Sequence, residues 1–131
     1  MNVSAQRTVL LHGTSTQGEK YIKGFKRDGV INLVAVSDLD SMYQQQSDLK
    51  KNYKINSILI VTKRGDDISD LPLLYEFAHK LNILVTTIII YHAKCKTAHH
   101  SNIIAELRKV SDMVIYTSDE EYLQFMIECI T

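Results

Sequence analysis

The stretch Asn56–His92 reads NSILIVTKRGDDISDLPLLYEFAHKLNILVTTIIIYH and carries the clearest structural pattern in the chain. Its apolar, β-branched run Ile58–Val61 is typical of a strand that is covered on both faces. After a polar break, apolar residues recur at helical spacing over Leu71–Leu81, namely Leu71, Leu74, Ala78 and Leu81, with Leu73 and Phe77 widening the stripe. Pro72 suits the first helical turn, Ser69 or Asp70 could cap the helix, and Asn82 could close it in a left-handed conformation. Because an uncharged β-branched run, Ile83–Tyr91, follows, the stretch predicts a strand–helix–strand unit with parallel strands.

Strands and helices alternate on both sides of this unit as well. Further strands are predicted at Thr8–Leu11, Ile31–Val36 and Asp112–Tyr116, and further helices at Gln17–Asp28, Ser41–Tyr53, Ser101–Val110 and from Ser118 onward. The last helix should bury Tyr122, Leu123, Met126, Ile127 and Ile130. Strict alternation predicts a three-layer, Rossmann-like α/β domain, in which helices cover both faces of a five-stranded parallel sheet. Alternation leaves the strand order open, with 3-2-1-4-5 favoured and 2-1-3-4-5 as the alternative.

Composition favours one ordinary globular domain over residues 1–131. Lysine plus arginine and aspartate plus glutamate each number 15, and this zero net charge argues against a nucleic-acid binder with a basic face. The run Ile83–Tyr91 is too short for a membrane span, which needs about 20 residues, and no secretory signal is recognisable at the N-terminus. The two cysteines, Cys95 and Cys129, are far apart and fit reduced thiols. We therefore expect a cytoplasmic protein.

Ligands of parallel α/β sheets bind beyond the carboxyl ends of the strands, so the turns that follow predicted strands are candidate sites. The first turn contains Gly13, Thr14, Ser15 and Gly18, whose backbone N–H groups could hold a phosphate at the start of the next helix. An ordinary strand-to-helix turn that needs glycine is the favoured interpretation. Asp38 follows the second strand and could bind a ribose hydroxyl, although capping of the next helix is favoured.

The turn after the central strand contains Arg64, Gly65, Asp66, Asp67 and Ser69. Its adjacent carboxylates could hold Mg²⁺ through water, and the guanidinium could meet a phosphate. The alternative is a solvated polar loop.

A separate group, His92, Cys95, His99 and His100, has residue types that bind zinc, but its spacing matches no standard zinc finger. A surface loop is the favoured interpretation, so no metal site is predicted. The apolar end of the last helix could be a surface for a protein partner or for self-association.

Most of the chain resembles the nucleotide-binding half of the FtsZ/tubulin family in a reduced form. The resemblance rests on VLLHGTSTQGEKYIKGFKRDGVINLVAVSDLDSM (9–42), SILIVTKRGDDISDLPLLYEFAHKLNILVTTIIIY (57–91) and IAELRKVSDMVI (104–115). Where that family has the glycine-rich loop GGGTGTG around the phosphates, this chain reads KRGDDIS (63–69). The resemblance implies GTP or GDP with Mg²⁺ as ligand. The altered loop predicts a non-catalytic protein that has lost GTP hydrolysis and acts by binding a division or filament protein, or a weakly held nucleotide.

The chain is also similar to sugar-isomerase domains. This similarity rests on VTKRGDDISDLPLLYEFAHKLNILVTTII (61–89), followed by IAELRKVSDMVIYTS (104–118). It implies a protein that binds, or an enzyme that converts, a small phosphorylated metabolite such as a sugar phosphate.

Overall fold

The computed structural model describes residues 7–14, 19–20, 22–23, 30–33, 54–63, 65–90, 98–117 and 120–130. The strands in this part of the chain are β1 (Arg7–Gly13), β2 (Val30–Leu33), β3 (Lys54–Lys63), β4 (Leu84–Ile90) and β5 (Met113–Thr117). The helices are α1 (Leu71–Lys80), α2 (Ala98–Arg108) and α3 (Glu120–Ile130). Of the predicted helices, Ser41–Tyr53 and most of Gln17–Asp28 lie outside the described residues, as does Ser118, where the last helix is predicted to begin. No helix among the described residues is long and apolar enough to cross a membrane.

The strands form one parallel sheet in the order β2-β1-β3-β4-β5. The favoured order 3-2-1-4-5 is therefore wrong, and the structure has the alternative order. The physical reason is the apolar character of β3, whose residues Ile58, Leu59, Ile60 and Val61 are all fully buried. The order 3-2-1-4-5 would have placed this strand at an edge of the sheet, whereas the observed order gives it a neighbour on each side.

Helices cover both faces of the sheet, because alternate strand residues point to opposite faces. On one face, α1 and α2 pack against one set of strand residues in a cluster that contains Leu10, Ile58, Ile60, Val85, Ile89, Leu71, Leu74, Ala78 and Leu107. On the other face, α3 and a short helical stretch around Ile22 pack against the alternate set, in a cluster that contains Val9, Leu11, Leu59, Val61, Ile88, Ile90, Leu123 and Ile127. The predicted α/β architecture, a parallel sheet covered by helices, is confirmed.

At the N-terminal end of α1, the sequence predicted Pro72 correctly but not the geometry of Asp70. At the C-terminal end, the prediction for Asn82 is confirmed. Pro72 lies in the first turn, as predicted. Asp70 occupies the cap position with helical angles, φ −84° and ψ −14°, and its side chain makes no capping hydrogen bond, because a cap needs extended backbone geometry. Asn82 has φ 56°, as predicted, and its N–H donates to the carbonyl of His79 at 3.2 Å. The N–H of Ile83 donates to the carbonyl of Ala78 at 2.8 Å, which completes a Schellman ending.

Three details of the helices correct the sequence-based expectations. Leu73 is 56% exposed, because the buried stripe of α1 is set by its neighbours Leu71 and Leu74. Tyr122 was expected to face the core but is 61% exposed, since the buried direction of α3 is that of Leu123 and Ile127. Helix α2 begins at Ala98, so the loop predicted to continue through His100 ends earlier.

Candidate functional site

The strand order identifies one switch point at the carboxyl edge of the sheet, between the ends of β1 and β3, which we call the crevice. The chain leaves β1 toward β2 on one side and leaves β3 toward β4 on the other, so the connections diverge between β1 and β3. Ligands of open α/β sheets bind at such a point. Thr14 follows β1 here, and Thr62 lies near the end of β3. The N–H of Thr14 donates to the carbonyl of Val61 at 3.1 Å and holds the two strand ends together.

The carboxylate of Asp66 is bound inside this crevice. Its Oδ2 accepts a hydrogen bond from the Thr14 hydroxyl, with 2.7 Å between the oxygens. The same Oδ2 accepts a second hydrogen bond from the backbone N–H of Lys63 at 2.9 Å. The hydroxyls of Thr14 and Thr62 are 2.9 Å apart. Because a carboxylate can only accept, the Thr14 hydroxyl is the donor to Asp66. Thr14 thus lies within hydrogen-bond distance of both Asp66 and Thr62, and the three side chains form one hydrogen-bond chain.

This arrangement places a protein carboxylate at the edge where ligands of open α/β sheets bind. Two donors that could hold a phosphate oxygen, the Lys63 N–H and the Thr14 hydroxyl, are already used by Asp66. Gly65 has φ 93°, a backbone conformation that favours glycine, and no described atom lies within 4 Å of the place where its Cβ would stand. Glycine is therefore favoured at this position by the positive φ of the turn, and not by a neighbouring group that a Cβ would clash with.

The second carboxylate of the loop, that of Asp67, binds a different backbone donor from the carboxylate of Asp66. Oδ1 of Asp67 accepts a hydrogen bond from the backbone N–H of Ser69 at 2.9 Å. This hydrogen bond, with a further one from the Ser69 hydroxyl, lowers the pKa of the exposed Asp67 carboxyl below its usual value. The two aspartates thus bind different donors. Among the described residues, no group of three His, Cys, Asp or Glu side chains is placed to hold a metal ion.

The lowered pKa of Asp67 predicts a pH-dependent effect. A carboxyl whose pKa is lower in the folded state stabilises that state above the unfolded pKa, about 3.9, and this contribution is lost as the pH falls through the lowered folded pKa. Asp67→Asn should therefore lower the melting temperature at neutral pH, and the difference from the parent should shrink in strong acid. Thermal unfolding at both pH values measures this, with the exposed Asp70→Asn as control. A difference that stays the same at both pH values would contradict it.

The predicted site residues fall into four groups. The structure brings Thr14 and Asp66 together, with Gly13 as the last residue of β1. Gly65, Asp67 and Ser69 lie in the loop after β3 but outside the hydrogen-bond chain. Outside the described residues lie Ser15, Gly18, Asp38, Arg64, His92 and Cys95. His99 and His100 belong to the start of α2, and their side chains are not described.

The sequence reasoning missed Thr62, the residue that completes the hydrogen-bond chain. Thr62 is 1% exposed and follows the apolar run of β3. A hydroxyl at the end of a buried strand was the available signal, because a buried polar group needs a hydrogen-bond partner.

A second group of polar contacts joins β4 to the residues just before β5. The hydroxyls of Thr87 and Ser111 are 2.6 Å apart and buried. The N–H of Val85 donates to Oδ2 of Asp112 at 2.7 Å, and the N–H of Asp112 donates to the carbonyl of Val85 at 2.8 Å. These contacts fasten the connection before β5 to β4, and we assign them a structural role.

Comparisons with known proteins assign no family to this chain. No family model matches the chain, and no curated protein matches it significantly. Among solved structures, the chain is similar to a crystal structure of a protein named as pilus assembly-related from Burkholderia pseudomallei. The identity is 12% and the TM-score 0.46, over 98% of this chain and 92% of that chain. A likeness of this degree carries no conclusion about function.

Proposed function

We propose that this protein acts by binding a protein partner and not by catalysis. The observation that carries the proposal is the position of Asp66, whose Oδ2 accepts hydrogen bonds from Thr14 and Lys63 between the ends of β1 and β3. A carboxylate at this point repels a phosphate group and uses the donors that a phosphate would need. In the described part of the crevice, these two donors are therefore not available to a nucleotide phosphate.

The resemblance to FtsZ and tubulin indicates the class of protein partner. In the proposed view the chain is a degenerate FtsZ-like protein, in which KRGDDIS (63–69) stands in place of the glycine-rich phosphate loop. A division or filament protein is then the partner class that we propose. This part of the proposal rests on the resemblance alone.

A thermal-shift screen tests the claim about nucleotides. We expect GTP, GDP and ATP at millimolar concentration, each with and without Mg²⁺, to leave the melting temperature unchanged. A ligand present at about 100 times its dissociation constant would stabilise the folded state by about 2.7 kcal/mol, which is several degrees in melting temperature for a chain of this size. A shift of that size with a guanine nucleotide would contradict the proposal.

The second candidate function is binding of a small phosphorylated metabolite, which the similarity to sugar-isomerase domains implies. The observation that favours it is the pair of donors already aimed at one point, the Thr14 hydroxyl and the Lys63 N–H. Asp66→Ala would free both donors. If several sugar phosphates raise the melting temperature of the parent protein, the metabolite function replaces the first proposal. If they stabilise only Asp66→Ala, the crevice is a phosphate site that Asp66 closes.

A further inference from the structure

Helix α3 has apolar residues on two of its faces. Leu123 and Ile127 are fully buried against the sheet. Tyr122 is 61% exposed and Phe125 is 67% exposed, and Cys129 is exposed as well. A helix on the surface of a globular protein usually has a single apolar stripe, directed at its own core. The outer apolar stripe of α3 therefore contributes nothing to the core of this domain.

The outer stripe has the spacing of a helix–helix contact. Tyr122, Phe125 and Cys129 are separated by three and then four residues, which is the spacing of heptad positions a, d and a. Glu121 and Glu128 then fall at the two g positions that flank this seam, and both side chains are exposed. The helix contains three glutamates and no lysine or arginine. Charges at e and g positions determine which helices pair, so the acidic flank selects the partner by its charge.

We propose that the outer face of α3 docks an amphipathic helix of a basic partner protein. That helix would place apolar side chains against Tyr122 and Phe125, and a lysine or arginine beside Glu128. The inference rests on the proposed binding function and identifies the surface that performs it.

Charge also argues against an antiparallel pairing of two copies, and against nucleic acid and anionic lipid, on this face. A symmetric antiparallel pairing of two copies of α3 would bring the g positions together and place glutamate against glutamate. Nucleic acid and anionic lipid surfaces are acidic, and they would be repelled by the same glutamates. An amphipathic helix with basic flanks complements both the apolar seam and the negative charge beside it.

Two designed peptides test the proposal on the full chain. Each is a helix of about three heptads with leucine at a and d; one has lysine at e and g, and its twin has glutamate there. We expect the lysine peptide to bind, by fluorescence anisotropy, at least about tenfold more tightly than the twin, because like charges across an interface are costly. Glu128→Lys should reduce this preference, whereas Glu76→Lys, a change at an exposed glutamate on α1, should not.

A second pair of variants tests the apolar seam. Phe125→Ser should weaken binding of the lysine peptide at least about tenfold, since aromatic side chains at the centre of an interface dominate its affinity. Leu73→Ser, at another exposed apolar side chain, should leave it unchanged. Unchanged melting temperatures establish that both variants fold.

Three results would overturn the inference. They are equal binding of the two peptides, binding that Phe125→Ser leaves intact, and a dimer in light scattering that Phe125→Ser dissolves. The last result would assign the face to a second copy of the chain. None of them depends on the nucleotide screen, so the proposed function and this inference can fail separately.

Discussion

Asp66→Ala is expected to lower the free energy of unfolding by about 1.5–3 kcal/mol, the range for hydrogen bonds to a charged group. The substitution removes the acceptor of two hydrogen bonds, from the Thr14 hydroxyl and the Lys63 N–H. It also leaves the Thr14 and Thr62 hydroxyls without the carboxylate that orients them. Urea unfolding of the parent and the variant measures the difference directly.

The matched control for Asp66→Ala is Asp70→Ala. Asp70 lies in the same loop, is exposed and makes no capping hydrogen bond. Its replacement should change the free energy of unfolding by no more than about 0.5 kcal/mol, as for other surface changes. Thr14→Val, combined with Asp66→Ala in a double-mutant cycle, should give a coupling energy of about 0.5 kcal/mol or more. Equal losses of unfolding free energy for the two aspartate variants, or strict additivity in the cycle, would show that the Asp66 carboxylate does not stabilise the contact between the ends of β1 and β3.

Leu74→Ala is expected to produce the largest loss of stability, about 2–5 kcal/mol, because the shortened side chain leaves a cavity under α1. Leu74 is fully buried among residues of α1 and the sheet. The adjacent Leu73 is 56% exposed, so Leu73→Ala should cost about 0.5 kcal/mol or less. Unfolding in urea compares the two variants. Similar costs for both leucines would mean that α1 is rotated relative to the orientation described above.

The two adjacent leucines also show where a sequence pattern is sufficient and where it is not. Helical spacing placed Leu71, Leu74 and Ala78 on one face, and these residues are buried. The same pattern extended the stripe to Leu73, because hydrophobicity alone does not say how wide a face the sheet can cover. The prediction that Tyr122 of α3 is buried was wrong for the same reason.

The sequence by itself determined the elements of the central unit. Runs of β-branched residues and helical periodicity are properties of neighbouring residues, so α1 and β4 could be predicted near their observed bounds, whereas β3 begins four residues before the predicted run Ile58–Val61. Pro72 and Asn82 act through their own backbone conformations, and the structure has both where they were expected. Local chemistry was sufficient at these positions because no distant residue was needed.

Only the tertiary structure decided the strand order and the contents of the crevice. The strand order depends on which strand buries the most apolar surface when it lies at the centre of the sheet. That can be decided only by comparing all the strands. Thr14 and Asp66 are 52 positions apart in the chain and meet only because β3 lies beside β1. Thr62 joined them for the same reason. A hydrogen bond between distant residues leaves no periodicity in the sequence, so the fold had to bring these side chains together before their contact could be recognised.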